Sequence, residues 1–177
     1  MGWARDVLGF WFAQPSERWW KADEAFDAEV RRRFCDVWTE QRGRPAAEFA
    51  DAPDHALAAI ILFDQVPRNM FRGHADQFST DPLALAIAKA AVERGYDDGM
   101  PAERRQFLYM PFQHSEDAKD QTRSLLLFAA LGDPDQQRYA RLHHDVIARF
   151  GRFPHRNAML GRKPRAEELA AGDLVPW

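Results

Sequence analysis

The sequence predicts an all-α fold built as an array of helical hairpins, and three observations predict it. The β-branched residues that favour sheets number only 7 Val, 4 Ile and 3 Thr in 177 residues, against a large stock of Ala, Leu, Glu and Arg, whose side chains lose little freedom in a helix. Apolar residues recur at helical spacing, with Phe26, Val30, Phe34 and Trp38 on one face. The pattern Phe-x-x-x-Pro returns at Phe63 to Pro67, Phe107 to Pro111 and Phe150 to Pro154, its prolines 44 and 43 residues apart. Each interval has room for two helices, and a fixed period of helical pairs is the mark of a repeat array. An irregular helical bundle that uses proline stops is the alternative.

About seven to nine helices follow from the local signals. A first helix covers Trp3 to Ala13 and stops at Pro15, forming an N-terminal segment over residues 1–15. Asp23 caps a second helix, which Gly43 closes. Asp51 or Asp54 with Pro53 opens a third, whose near-continuous apolar run through Leu57, Ile60, Ile61 and Leu62 demands burial on most sides. Ser79, Thr80 and Asp81 ahead of Pro82 start the next, and Gly95 stops it; Pro101 begins another. Ser115 caps a helix over Glu116 to Leu131, ended by Gly132, and Asp133 with Pro134 starts one that reaches Phe150 and Gly151. A last helix follows Pro164 in a weakly anchored C-terminal segment, 163–177, of what reads as a single all-helical domain, 1–177.

The net charge of −3 provides no global positive field, so nucleic acid is not an expected partner. The triplet Arg31-Arg32-Arg33 neutralises too few phosphates to change that and reads as a solvated face. No run approaches 18 apolar residues, which excludes a helical membrane span, and the start lacks the basic leader and small-residue cleavage site of a signal peptide. Cys35 is alone, which rules out an internal disulfide and suits a reducing, cytoplasmic location. The tryptophans Trp3, Trp11, Trp19, Trp20 and Trp38 crowd the first forty residues and read as one stripe that packs the N-terminal helix onto the first hairpin.

Proline removes an amide donor and disfavours helical geometry in the residue before it, so each of the three helices is expected to break or kink at its proline. If the hairpins stack in register, the exits share one edge. The polar residues after each proline would then converge: Arg68 and Asn69, His114, and His155, Arg156 and Asn157.

The same segments carry a resemblance. Phe63-Asp64-Gln65-Val66-Pro67-Arg68-Asn69-Met70-Phe71-Arg72-Gly73, Met110-Pro111-Phe112-Gln113-His114-Ser115-Glu116-Asp117 and Arg149-Phe150-Gly151-Arg152-Phe153-Pro154-His155-Arg156-Asn157 resemble the motifs of the bacterial domain-of-unknown-function family 924 (DUF 924). Val7 to Phe12 and Gly161-Arg162 fit as well. The resemblance implies an all-helical fold related to tetratricopeptide repeats and no established activity.

Arg68, Arg72, Arg152, Arg156 and Arg162, with Asn69, Asn157 and Asp64, form a candidate binding set for a small anionic metabolite or a peptide carboxylate, because guanidinium presents a planar fork to two oxygens. Arginines near helix ends also cap carbonyls and pair locally, Asp64 with Arg68 for instance, and that is the competing reading. His114, Glu116 and His155 are the candidates for acid–base or hydrolytic chemistry, although an N-cap role accounts for Ser115 without catalysis. No metal or cofactor motif occurs: there is no His-Glu-x-x-His, no Glu-x-x-His and no Asp-rich loop. Of the adjacent His143 and His144, which point about 100° apart on a helix, at most one faces any given site; His144 could join the polar edge, and a satisfied buried histidine is the competing reading. Two further functions compete: a repeat-type module that grips a partner peptide or tail, and a homodimer through the Trp-rich end.

Overall fold

Asp23 starts the longest helix of the protein by accepting hydrogen bonds from the Ala25 and Phe26 amides, both at 3.0 Å. That helix belongs to a computed structural model describing residues 2–172, with no strand among them. Contacts divide the chain into two compact units, Met1–Pro111 and Phe112–Trp177.

The first unit holds α1 (Gly2–Phe12), α2 (Glu17–Trp20), α3 (Glu24–Gln41), α4 (Pro53–Ile60), α5 (Val66–Met70) and α6 (Asp81–Glu93); α7 (Ala102–His114) leads out of it. The second holds α8 (Ala118–Leu131), α9 (Pro134–Phe150) and α10 (Ala166–Ala170). A π-turn, Ile61–Gln65, joins α4 to α5 without interruption, so the described residues form nine continuous helices. The apolar face expected of α3 is buried through Phe26, Val30, Phe34 and Trp38, while Arg32 and Arg33 lie on the opposite face and pair with Glu29. From Ala56 to Phe63 every residue is fully buried, as the continuous apolar run requires.

The tryptophans do not form one stripe. Trp11, Trp19 and Trp20 gather on Phe107 of α7 with centroid distances of 5.8, 5.0 and 5.9 Å, whereas Trp3 packs on Phe49 and Trp38 on Phe71. Flat rings of this size each bury a large area, and the unit distributes them over three contacts rather than one seam.

Of the three helices expected to break or kink at proline, the first does so through the π-turn before Pro67 and then runs on, and the second runs through Pro111. Pro67 lies within α5 and Pro111 within α7, and only Pro154 stands beyond a helix end, opening a short 3₁₀ turn. The reason at Pro67 is a tertiary hydrogen bond. Proline denies the Phe63 carbonyl its i,i+4 donor, and the Thr80 hydroxyl takes that place at 2.6 Å while accepting from Trp38 Nε1 at 3.2 Å. The turn widens at the same point, the Val66 amide reaching back five residues to the Ile61 carbonyl. Thr80 is therefore no N-cap for α6, although it occupies that position. Thr80→Val should cost about 1–3 kcal/mol, since it strands two buried polar groups, and Thr80→Ser should recover most of it; urea titration of the three proteins checks this.

The cap of α8 also differs from expectation. Asp117, not Ser115, receives the Lys119 and Asp120 amides at 2.7 and 3.3 Å, while Ser115 donates to the Asp120 carboxylate at 2.8 Å. Gln121 Nε2 reaches back to the carbonyls of Gln113 and Ser115 at 2.7 and 2.6 Å and so satisfies the end of α7. Asp133 caps α9 as predicted, and Gly95, Gly132 and Gly151 take the left-handed conformation that ends their helices. Gly43 does not: α3 ends at Gln41 with Arg42 still in right-handed geometry.

Candidate functional site

The predicted site residues fall into four assemblies of side chains, one in the first unit and three in the second. In the first unit, Arg68 grips the Asp81 carboxylate with both terminal nitrogens, at 2.9 and 3.0 Å. The same guanidinium lies 3.3 Å from Asp64 Oδ1 and also donates to the Asp64 carbonyl. Asp64 is wholly buried and accepts from Gln65 Nε2 at 2.5 Å. Burial by itself would favour loss of the Arg68 proton, but Asp64 and Asp81 outweigh it and raise its pKa further. Asn69 and Arg72 share Asp27 of α3 at 2.7 Å, and the Arg72 fork is bidentate. Burial opposes ionisation of Asp27, and the hydrogen bonds from Arg72 and Asn69 overcome that to keep its pKa low. The i,i+4 relation of Asp64 and Arg68 was legible in the sequence; Asp27 and Asp81, distant in sequence, were not.

In the second unit, Glu168 of α10 collects Arg152 at 2.6 and 2.9 Å, Asn157 at 2.9 Å and the Arg165 amide at 2.7 Å. Arg152 first, and then the other donors, pull its carboxyl down to about 2. This set ties α10 to the segment after α9; residues 173–177 of the predicted C-terminal segment lie outside the described residues.

Glu116 organises its own set. It accepts both terminal nitrogens of Arg162, at 2.8 and 3.1 Å, and the Phe153 amide at 2.8 Å, while Arg162 Nε donates to Asn157 Oδ1 at 3.0 Å. Burial would raise the Glu116 carboxyl; Arg162 and the Phe153 N–H outweigh it and hold the pKa below the ordinary value. Glu116 is thus an ionised acceptor that orients its neighbours, a poor proton donor near neutral pH.

The fourth assembly surrounds Phe153, which the Glu116 bond to its amide positions. The His143 ring stands edge-on to Phe153 at 5.7 Å, His155 lies 5.6 Å away, and the Arg156 guanidinium covers the Phe153 face at 4.5 Å. His114, the last residue of α7, is 6.2 Å from His143. Gln113 Nε2 sits 3.0 Å from His143 Nδ1, and that nitrogen is 2.8 Å from the Tyr139 carbonyl. Burial first, and then electrostatic repulsion from the neighbouring His114 ring against a second proton, push His143 down to about 2; burial and Arg156 push His155 down to about 4. Both imidazoles are neutral at pH 7. His144 faces away and pairs with Asp145 at 3.2 Å, so it is His143, not His144, that joins the polar residues. The apolar moment of α9, which buries Ala140, His143, Ile147 and Phe150 on one face, was the signal that could have selected it. Three buried polar atoms beside these helices, Gln113 Oε1, Gln121 Oε1 and Ser124 Oγ, have no hydrogen-bond partner among the described residues.

Among the described residues no three His, Cys, Asp or Glu side chains are grouped to hold a metal, and no helix is long and apolar enough to cross a membrane.

Comparison with known proteins agrees with this architecture. A solved structure titled as a protein of unknown function, ATU0120 from Agrobacterium tumefaciens, is 38% identical, covers 96% of each chain and superposes with a TM-score of 0.90. No curated protein matches. The model of the family described as "Bacterial protein of unknown function (DUF924)" matches residues 7–171, and with nearly the whole helical chain inside that match, the protein belongs to the DUF924 family.

Proposed function

We propose that the second unit binds a small anionic ligand, a metabolite phosphate or carboxylate or the carboxylate of a peptide, through His114, His155 and Arg156. The observation that supports this reading is the gathering of His143, His155 and Arg156 about the Phe153 ring, with His114 against His143, beside a carboxylate, Glu116, already held by Arg162. Arg68, Asn69, Arg72, Arg152, Asn157 and Arg162, the other candidates for the ligand, hold carboxylates or carbonyls of the protein itself. The proposed binding set is the histidines and Arg156, with Glu116 and Arg162 as its frame.

A neutral His155 gives the site a second property. An anion nearby favours imidazolium, so binding raises the His155 pKa from about 4 and draws in a proton. Affinity should then increase as pH falls from 7 towards 5. Titration with inorganic phosphate and with succinate, followed by the imidazole resonances of His114 and His155, tests the reading. Saturable shifts, proton uptake detected as a buffer-dependent binding enthalpy, and loss of both in His155→Gln are expected; absence of saturable shifts at either histidine overturns it.

A further inference from the structure

The first unit contains a cleft of about 640 Å³ walled by the outer face of α1, the start of α4 and the start of α7. None of the residues that frame the anion site takes part in it. Three features of the cleft point to an occupant.

Gly9 lies in the interior of α1 and forms part of the wall. Its backbone does not require glycine, since it is not among the residues with positive φ, and apart from its chain neighbours and its own helix backbone no protein atom lies within 4 Å of where a Cβ would stand, at a position that is exposed. Glycine lowers helix stability relative to alanine, so neither local conformation nor packing within the protein accounts for the bare wall. A molecule lying against the backbone at that point does account for it.

His55, also in the wall, has a side chain only 9% exposed, and its Nδ1 sits 2.5 Å from Asp51 Oδ1. Trp3 and Phe49 fix the ring, at 5.3 and 5.7 Å. In the neutral ring, with Nδ1–H directed at the carboxylate, the lone pair is on Nε2, and Nε2 makes no hydrogen bond among the described residues. It is an acceptor oriented by its partner and offered to whatever lies in the cleft.

The charges of the wall balance. Arg104 pairs with Asp54 at 3.2 Å and covers the Phe12 ring at 5.1 Å, leaving Arg5 and Glu103 with opposite signs at the rim. A strongly charged ligand gains nothing from such a lining, whereas the apolar side chains of Leu8 and Phe12 favour a flat apolar body. From these observations we infer that the cleft binds an uncharged aromatic alcohol, its ring against the bare backbone at Gly9 and its hydroxyl donating to His55 Nε2.

The test uses p-cresol, with toluene and benzylamine as comparisons, titrated into the full chain and followed through the Gly9 amide and the His55 ring resonances. Saturable shifts at both are expected for p-cresol, at least tenfold weaker binding for toluene and for benzylamine, and loss of p-cresol binding in Gly9→Leu. That variant fills open space and should keep the thermal midpoint of the parent, which separates a blocked cleft from an unfolded protein. Failure of p-cresol to saturate, equal affinity for toluene or benzylamine, or unchanged binding in Gly9→Leu each overturns the inference. Phosphate binding in the second unit is unaffected by any of these outcomes.

Discussion

Arg68→Met is expected to destabilise the protein by about 3–5 kcal/mol, the range for removing one partner of a buried ion pair. Asp64 has no exposed surface, and Asp81 is largely covered. With the guanidinium gone, two carboxylates share a poorly hydrated region, and the neutral Gln65 amide on Asp64 does not offset its charge. The loss comes from the stranded charge more than from the missing bond. A double variant, Arg68→Met with Asp64→Asn, should therefore recover a large part of the stability, because a neutral amide needs no cation. Denaturant unfolding of the two single variants and the double one gives the coupling directly. Additive losses would mean that Arg68 acts through packing and Asp81 alone.

Acid should unfold the second unit in a defined window. His143 and His155 have folded pKa values of about 2 and about 4, each below the ordinary 6.5. A depressed histidine contributes stability that is complete above the unfolded pKa; below it the unfolded chain takes up protons that the folded one refuses. Stability is then at its plateau above about pH 6.5 and falls by roughly 3–5 kcal/mol between there and pH 4, allowing for the partial exposure of His155. His143→Phe should roughly halve that slope across the whole window while keeping a ring contact with Phe153. Glu168, held near 2 by Arg152, stays ionised through this window and begins to lose its contribution only as pH nears the ordinary carboxylate range. Urea midpoints at half-unit pH steps for the parent and His143→Phe measure both effects. A parent midpoint that does not move between pH 7 and 4.5 would contradict the assignment.

The helices were legible because their signals are short-ranged. Asp23 and Asp133 act as caps within three residues, the face of α3 follows from a spacing of four, and Gly95, Gly132 and Gly151 reverse the backbone within one residue. The errors arose wherever a distant group competed with a local rule. Pro67 should break or kink its helix, and the helix widens there but runs on, because the Thr80 hydroxyl supplies the donor that proline lacks. Ser115 should cap α8, and does not, because its hydroxyl finds Asp120 and leaves the cap to Asp117.

The candidate site shows the same division. That Arg68, Arg72, Arg152 and Arg162 would meet anionic groups follows from their chemistry alone. Which groups they meet does not: Asp27 lies 45 residues from Arg72, and Glu116 lies 46 from Arg162. The choice of His143 over its neighbour rests on the rotation of α9 against the rest of its unit, a quantity set by side-chain packing. By itself the sequence determined an all-helical DUF924 protein, with its main helices and most of their caps, since those depend on residues a turn apart. Tertiary structure alone decided that Arg68, Arg72, Arg152 and Arg162 neutralise the protein's own carboxylates and that His143 and His155 stay neutral around Phe153, because both outcomes depend on burial and on partners brought together only when the core closes.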